Sequence, residues 1–496
     1  MTRKQSYLAL IVLVGVVCAC TDEPAMRGRE APPNFIVLIG DDMAVETLDC
    51  YGVGQATAVT PNLDSLCAAG MRFDNFWAQP VCSPTRATIL SGRYGFRTGV
   101  GAPATSGIPA QPVPEKADDA HKEQGGGGPP RRGAGDNVPA PGLRADEFTL
   151  PMALKADARL GYETAAIGKW HLADQTNGAI EHPNLAGFDH YTGSVRTGGV
   201  ESYFAWSKVT NGEITDGKAG WADSDKVDDA IAWLDQRSGD QPWLLWMAFN
   251  APHTPFHLPP LHLLNSDARN LDPDAINNEN QHAYYNAMIE ALDTEIGRLL
   301  AHLSEAQRAN TYIVFVGDNG TPEQVAMPPF DFTHSKGGIS QGGVNVPFFF
   351  VGPGIENGQV SKALANSVDI YATLVELAGI DSDAILPSDK VFDTVSLTPV
   401  LFGESDAVRD YAYADVFGSV PRGVRGERNR ETISERAIRD QRYKLFASSD
   451  REEFYDLASD PFEKNNLLNS ELTDAAAQSY ETLSAQLADL LASEPE

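Results

Sequence analysis

Two short stretches constrain this chain more than any other feature: NFIVLIGDD at residues 34–42 and TYIVFVGDNG at 311–320. In each, an unbroken apolar run ends in Gly-Asp followed by Asp or Asn: Phe35–Ile39 before Gly40-Asp41-Asp42, and Tyr312–Val316 before Gly317-Asp318-Asn319. A run that is apolar at every position has no polar face, which suits a strand covered on both sides in a parallel sheet. Looser versions of the pattern occur at Thr164–His171, Trp243–His253 and 344–354 (VNVPFFFVGPG), with helical periodicities at His282–Leu303 and Ser367–Ala378. This alternation predicts an α/β fold, a large, mostly parallel sheet flanked by helices. Beyond about Asp383 the alternation fades. There RAIRDQRYKLFA and EEFYDLASDPFEKNNL read as hairpin strands and a turn, followed by a terminal helix from about Leu472. The expected organisation is a main domain over 34–383 and a smaller C-terminal α+β domain with an antiparallel sheet over 384–496.

The 496 residues carry 38 Lys plus Arg against 68 Asp plus Glu, a formal net charge of −30. That excludes nucleic acid and an anionic lipid surface as main partners, since both reward positive charge. It also means that an anionic substrate needs a locally basic pocket inside a repelling field. At the start, Arg3 and Lys4 precede an apolar run from Leu8 to Ala19, too short for a comfortable membrane span, so 1–20 reads as an export signal. Val17-Cys18-Ala19-Cys20 resembles a bacterial lipoprotein box with Cys20 acylated, plain export being the alternative. The expected location is the periplasm or the outer membrane through a lipid anchor at Cys20, with 21–33 as a tether. Beyond Cys20 the cysteines are Cys50, Cys67 and Cys82, an odd number that leaves at least one special thiol in an oxidising compartment. Cys50 and Cys67 are free to pair on this reading. More than a third of 101–147 is Gly or Pro, so this segment reads as a flexible insertion in the main domain.

Most of the polar signals lie just past the carboxyl ends of these apolar runs, the edge at which open α/β sheets bind ligands. Asp41, Asp42, Asp318 and Asn319 bring four oxygen-bearing side chains there. Three carboxylates in a small volume require a compensating cation, and hard oxygen ligands favour calcium, or less strongly magnesium, over zinc. A single Asp after a strand is ordinarily a turn former; two Gly-Asp-[Asp/Asn] strand ends in one chain point further. Opposite in sign stand Arg86, Lys169 and Lys336, with His171 and His253 as candidate proton carriers. If the strand through GKWH continues, Lys169 and His171 point the same way. In PVCSPTRATILSGR (80–93), Pro84 marks the start of a helix that stops at Ser91-Gly92. Cys82 then sits over its positive end, which favours an anion there and a depressed thiol pKa, with Arg86 one turn on. Together these residues describe a pocket for a tetrahedral oxyanion ester, whose oxygens gain charge in the transition state.

Cys82-Ser83-Pro84-Thr85-Arg86, continued to Ser91-Gly92-Arg93, resembles the signature of the sulfatase family within the alkaline-phosphatase-like superfamily. IGDDM (39–43), GKWHL (168–172), APHTP (251–255), GDNG (317–320) and Lys336 before QGGVNVP resemble further family blocks, and FYDLASDPFEKNNL (454–467) resembles its C-terminal domain. The resemblance implies that a maturation enzyme oxidises Cys82 to formylglycine, whose hydrate is the nucleophile. It implies that Asp41, Asp42, Asp318, Asn319 and residue 82 hold a calcium ion, and that metal and Arg86 stabilise the alkoxide. Lys169 and Lys336 would bind sulfate oxygens and His253 would protonate the departing alcohol. His171 would take the proton from the remaining hydroxyl of residue 82, so that the sulfated hemiacetal collapses to aldehyde and sulfate. The implied activity is hydrolysis of an aryl or carbohydrate sulfate ester by an exported enzyme, a sulfuric ester hydrolase. Where the family usually has Glu-Gly-Gly this chain has Gln341-Gly342-Gly343, expected to alter what supports the site and not the activity. Two other readings stand beside it: a phosphonate or phosphodiester hydrolase on the same scaffold, and a surface lipoprotein that binds sulfated glycans without cleaving them.

Overall fold

The computed structural model describes residues 31–105, 140–195, 202–237, 241–420 and 431–493. The export signal, Cys20, nearly all of the tether and most of the 101–147 insertion lie outside the described residues.

Among the described residues there are fourteen strands: β1 Asn34–Gly40, β2 Met71–Trp77, β3 Glu163–Lys169, β4 His190–Ser194, β5 Ala205–Thr210, β6 Glu213–Ala219, β7 Trp243–Ala248, β8 Thr311–Gly317, β9 Phe348–Val351, β10 Gln359–Asn366, β11 Ala412–Val420, β12 Glu431–Arg439, β13 Tyr443–Ser448 and β14 Glu452–Asp456. The first ten make one sheet in the order β10-β2-β9-β8-β1-β7-β3-β4-β5-β6, and the last four a second, antiparallel sheet. The centre of the large sheet, β8-β1-β7-β3-β4, is parallel throughout. The apolar run at 344–354, grouped by sequence with the buried parallel strands, forms β9 and runs antiparallel to both β8 and β2. Its composition reports burial on both faces, which is true of β9, and says nothing of direction.

Why the runs within β1, β7 and β8 are apolar at every position is visible in their side chains. Alternate residues of β1 enter different cores, with Phe35, Val37 and Ile39 on one face and Ile36 and Leu38 on the other. β7 and β8 do the same. A strand roofed on both sides has no position at which a polar residue reaches water. One roof includes helix α2, Cys82–Ser91, with the helix Asp369–Leu377; the other includes α1, Pro61–Ala68, with the helices Ala222–Leu234 and Gln281–His302. In the small sheet, one face packs on Trp77, Ile339 and Val344 of the large unit, and the other receives the helix Asp474–Ala492. A disulfide joins Cys50 to Cys67, and Cys82 is a free, buried cysteine. No helix among the described residues is long and apolar enough to cross a membrane.

Register places the ends that matter at one level. Gly40 pairs with Gly317, Ile39 with Ala248 and Ala248 with Gly168. The residues that follow these strands therefore emerge side by side at the carboxyl edge of the sheet.

Candidate active site

The site is built on the first turn of α2. Val81 is extended (φ −145°, ψ 159°), Cys82 opens the helix, and Gly92 at φ 66° closes it. Pro84 is the third helical residue and not the first. The substitution is harmless, because the third N–H of a helix also lacks an intrahelical acceptor. Ser83 and Thr85, to which sequence reasoning assigned no part, fix this turn. Ser83 Oγ donates to the His171 carbonyl at 2.7 Å and accepts from Ala104 N at 2.9 Å, while Thr85 Oγ1 accepts from Gln79 N at 2.9 Å. A hydroxyl that donates and accepts at once is the signal that marks such a residue, and it needs coordinates to be seen.

Around Cys82 Sγ the expected residues converge. Asp41 Oδ1 lies 3.5 Å away, Asp42 Oδ1 3.9 Å, Lys169 Nζ 3.5 Å and Lys336 Nζ 3.6 Å. Lys169 Nζ donates to Asp41 Oδ2 at 2.5 Å, and Lys336 Nζ donates to Asp42 Oδ1. Arg86 donates from Nε and Nη2 to Asp318 Oδ2 at 3.0 and 2.7 Å and from Nη1 to the Lys169 carbonyl at 2.7 Å. Asp318 Oδ1 accepts from the backbone of Asp42 at 3.0 Å, tying the ends of β8 and β1 together. All of these side chains are buried.

Charge decides the protonation states. Burial raises the Asp41 carboxyl, but Lys169 and His253 outweigh it and hold it below its ordinary value. At Asp42 burial is likewise outweighed, here by Lys336 and His253. The Cys82 thiol goes the other way from the helix-terminus expectation: burial, with Asp318 beside it, pushes it well up against the pull of Lys169 and Lys336. A helix terminus carries about half a unit charge, too little against burial and neighbouring full charges.

His171 does not continue β3. The strand ends at Lys169, and His171 adopts φ 60°, so its alignment with Lys169 by strand alternation does not hold. It still faces the cluster: burial, then Lys169 and Arg86, hold its pKa well below the usual value, and neither ring nitrogen has a hydrogen-bond partner among the described residues. Asp42 is also left-handed, at φ 68°. Gly168, at φ 107°, is obligatory, since a Cβ there would lie 1.8 Å from the Ala248 carbonyl oxygen. His253 is positioned by residues that sequence reasoning missed. Asp223, wholly buried, accepts from the backbones of Asn250 and Ala251 at 3.1 and 2.9 Å and pairs with Lys226 at 2.9 Å. His253 Nδ1 faces the Thr254 carbonyl at 2.7 Å, leaving Nε2 3.9 Å from Asp42 Oδ2. Burial and Lys169 lower its pKa, against Asp42 and Asp41.

Four of these groups together could hold a metal ion. Donor atoms of Asp41, Asp42, Cys82 and His253 lie within 4.8 Å of one another. Asn319 donates from Nδ2 to Asp42 Oδ1 at 2.8 Å, yet its buried Oδ1 has no partner, as a ligand oxygen awaiting a cation would. Asp318, expected as a ligand, has one oxygen on Arg86 and the other on the Asp42 amide. His253 joins the donor group, where sequence reasoning had assigned it proton transfer alone. Gln341 stays outside: its Oε1 accepts from the Trp77 indole at 3.2 Å and its backbone N–H donates to Glu463 at 2.6 Å.

A family model described as Sulfatase matches residues 33–380, and one described as N-sulphoglucosamine sulphohydrolase, C-terminal, matches 336–493. N-acetylgalactosamine-6-sulfatase of Homo sapiens is 29% identical over 402 residues, covering 75% of this chain and 66% of its own, so the chain spans about two thirds of that relative. Arylsulfatase G of Rattus norvegicus is 27% identical over 447 residues, covering 80% and 74%. Among solved structures, Ps i-CgsB in complex with k-i-k-neocarrahexaose matches with a TM-score of 0.69 at 23% identity over 92% of both chains. A protein in complex with its substrate D-glucosamine-2-N,6-O-disulfate matches at 0.68 and 22%, over 94% of this chain and 99% of its own. Identity that low speaks for the fold. The family match encloses every residue gathered around Cys82, and on it the chain belongs to the sulfatase family, the sulfuric ester hydrolases.

Proposed function

We propose that this protein is an exported hydrolase of sulfate esters on sugars, acting through a formylglycine derived from Cys82. The observation that carries this reading is the pair of lysine ammonium groups, Lys169 and Lys336, 3.5 and 3.6 Å from the Cys82 sulfur at the N-terminus of α2. An oxyanion ester approaching residue 82 meets two fixed cations there, with Arg86 behind them. The relatives that act on sulfated sugars support the choice of substrate class.

The roles of the chain's own groups follow from their placement. Lys169 and Lys336 bind and orient the sulfate oxygens. Arg86, locked to Asp318 and the Lys169 carbonyl, keeps the positive field in place without moving. His171, neutral because burial and Lys169 lower its pKa, is in the form that accepts a proton from residue 82. His253 gives a proton to the departing alcohol from Nε2 in its charged form, which Asp42 and Asp41 favour against burial, while Nδ1–H is held by the Thr254 carbonyl. Asp41, Asp42 and Asn319, with Asp318 and residue 82, would hold a calcium ion, which supplies charge that favours an ionised oxygen nucleophile. As an aldehyde hydrate, residue 82 offers one oxygen for attack and a second hydroxyl whose deprotonation releases the product. A thiol has no second hydroxyl and would remain esterified. A maturation enzyme is the implied partner, and residues 1–20 the export signal, with Cys20 the lipidated residue.

The test is the mass of the tryptic peptide Phe73–Arg86 from protein co-expressed with a maturation enzyme, followed by hydrolysis of 4-nitrophenyl sulfate and of D-glucosamine-2-N,6-O-disulfate. An aldehyde at position 82 with sulfate release is the expected result. An aldehyde with release from phosphodiesters alone would move the reading to the phosphorus esters. An intact cysteine and no turnover would leave a sulfated-glycan-binding protein.

A further inference from the structure

Among the described residues, one buried cation has no carboxylate within ion-pair distance, although Asp440 and Glu463 act on it from further off. Among the described residues, the other buried lysines and arginines meet a carboxylate: Arg86 with Asp318, Arg93 with Glu147, Lys169 with Asp41, Lys208 with Asp225, Lys226 with Asp223, Lys336 with Asp42 and Lys444 with Glu463. Arg439, at the end of β12 and 3% exposed, does not. Its guanidinium donates only to neutral oxygens, the carbonyls of Asp440 and Gln441 at 2.9 and 3.1 Å and Asn75 Oδ1 at 3.3 Å. Two of its five N–H groups are left over. The Trp77 ring, 5.9 Å from the guanidinium carbon, offers a partial counterweight. Burial still draws the Arg439 pKa down to about 10. A buried guanidinium with no carboxylate in contact and two N–H groups to spare is costly to keep.

Arg439 lines a cavity of about 520 Å³ between the two sheets' territories, a size at which proteins bind small molecules. None of the residues around Cys82 lines it, although Val45, three residues on from Asp42, does. Phe330 and Phe462 form an apolar wall, their rings edge to face at 5.5 Å. Asn345 contributes a buried Oδ1 with no partner. Lys362 lies exposed at the rim, and the one carboxylate there, Asp74, is neutralised by Arg72 at 3.1 Å. By contrast, the 260 Å³ cavity beside Lys444 and Arg451 has its cations matched to Glu463 and to Glu435 and Glu453.

We propose that the Arg439 cavity is a second saccharide site, taking a sulfated sugar unit whose sulfate oxygens complete the guanidinium while its ring lies against Phe330 and Phe462. The planar fork of Arg439 matches two oxygens of a sulfate, and the unpaired Asn345 oxygen accepts from a sugar hydroxyl. The cavity is far larger than a sulfate ion needs, which points to the sugar and not the free anion. The proposal rests on the sulfate-ester reading only for the choice of sulfate.

Titration calorimetry of the Cys82→Ala chain, which cannot turn over, with D-glucosamine-2-N,6-O-disulfate tests it. The expected result is two equivalents, of which Arg439→Gln removes one and Lys336→Ala the other. Phe462→Ala, at the half-buried wall, weakens only the Arg439 equivalent, by about tenfold, and serves where Arg439→Gln fails to fold by circular dichroism. A single equivalent lost with Arg439→Gln would sink the catalytic reading and leave this one standing. A single equivalent lost with Lys336→Ala but indifferent to Arg439→Gln and Phe462→Ala would overturn the second site. Inorganic sulfate binding at Arg439 as tightly as the sugar would overturn the saccharide assignment. With Cys82 intact and matured, Arg439→Gln should hydrolyse 4-nitrophenyl sulfate at the unaltered rate; a parallel fall would place Arg439 in support of the catalytic cluster and overturn a separate site.

Discussion

At the scale of single residues, the site works by opposing charges held too close to relax. Lys336 touches Asp42 and stands 3.6 Å from Cys82 Sγ, so under the proposed reaction its removal would take away a fixed donor to a charged transition state. Lys336→Ala should lower kcat/KM by about a hundredfold to a thousandfold, with residue 82 still matured in the peptide mass. His182 makes a prediction about pH. Its Nδ1 accepts from the Trp170 indole at 2.9 Å, and burial lowers its pKa to about 4. The folded state thus favours neutral His182. That contribution is complete above the unfolded value near 6.5 and is lost as pH falls toward 4, worth about 3 kcal/mol in all. Thermal unfolding between pH 7 and 4, compared with that of His182→Asn, which does not titrate, should differ by this share and in this direction. The identities of the site residues were legible in their strings, because Gly-Asp-Asp and Cys-Ser-Pro-Thr-Arg carry unmistakable chemistry. The state of the Cys82 thiol was not, because burial and the nearness of Asp318 are products of the fold.

At the scale of elements, the loops after β1, β3, β7 and β8 do the positioning. Their beginnings were readable from apolar runs that stop at a polar residue, which is why β1 and β8 fall within a residue of their expected limits. Their courses were not. Strand alternation puts His171 beside Lys169, whereas the chain turns left-handed at His171; Gly168, nearby, lets Ala248 approach where no Cβ fits. Asp223 and Lys226 were silent in the sequence, since one charged pair on an acidic helix looks like any solvated face. The fold turns that pair inward to hold the loop of His253. Asp223→Asn should leave Lys226 as an uncompensated buried charge, costing about 3 kcal/mol in urea unfolding, and should lower kcat through His253. An unchanged denaturation midpoint would refute that account.

For the whole molecule, two constraints act over longer distances. The disulfide between Cys50 and Cys67 closes a loop with a sequence separation of 17, worth about 3 kcal/mol through the unfolded chain. Replacing both with serine should lower stability by about that amount while 4-nitrophenyl sulfate hydrolysis at 25 °C persists, because neither cysteine lies among the residues around Cys82. Metal removal should do the reverse in emphasis. With a chelator selective for calcium, activity should disappear and the melting temperature fall, both returning when calcium is restored in excess. Indifference of both to chelation would rule out the ion as resident.

The sequence by itself determined that this chain makes a two-faced, largely parallel sheet and that its chemistry gathers at the carboxyl edge. Runs without a polar position admit no other burial, and the chemistry-bearing residues stand where those runs stop. Only the tertiary structure decided that β9 runs antiparallel, that Cys50 and Cys67 pair, and that the Asp318 oxygens meet Arg86 and the Asp42 amide. The same holds for Arg439, left without a carboxylate in contact. Each of these depends on which distant segments become neighbours, and a local pattern of hydrophobicity and charge does not encode distance.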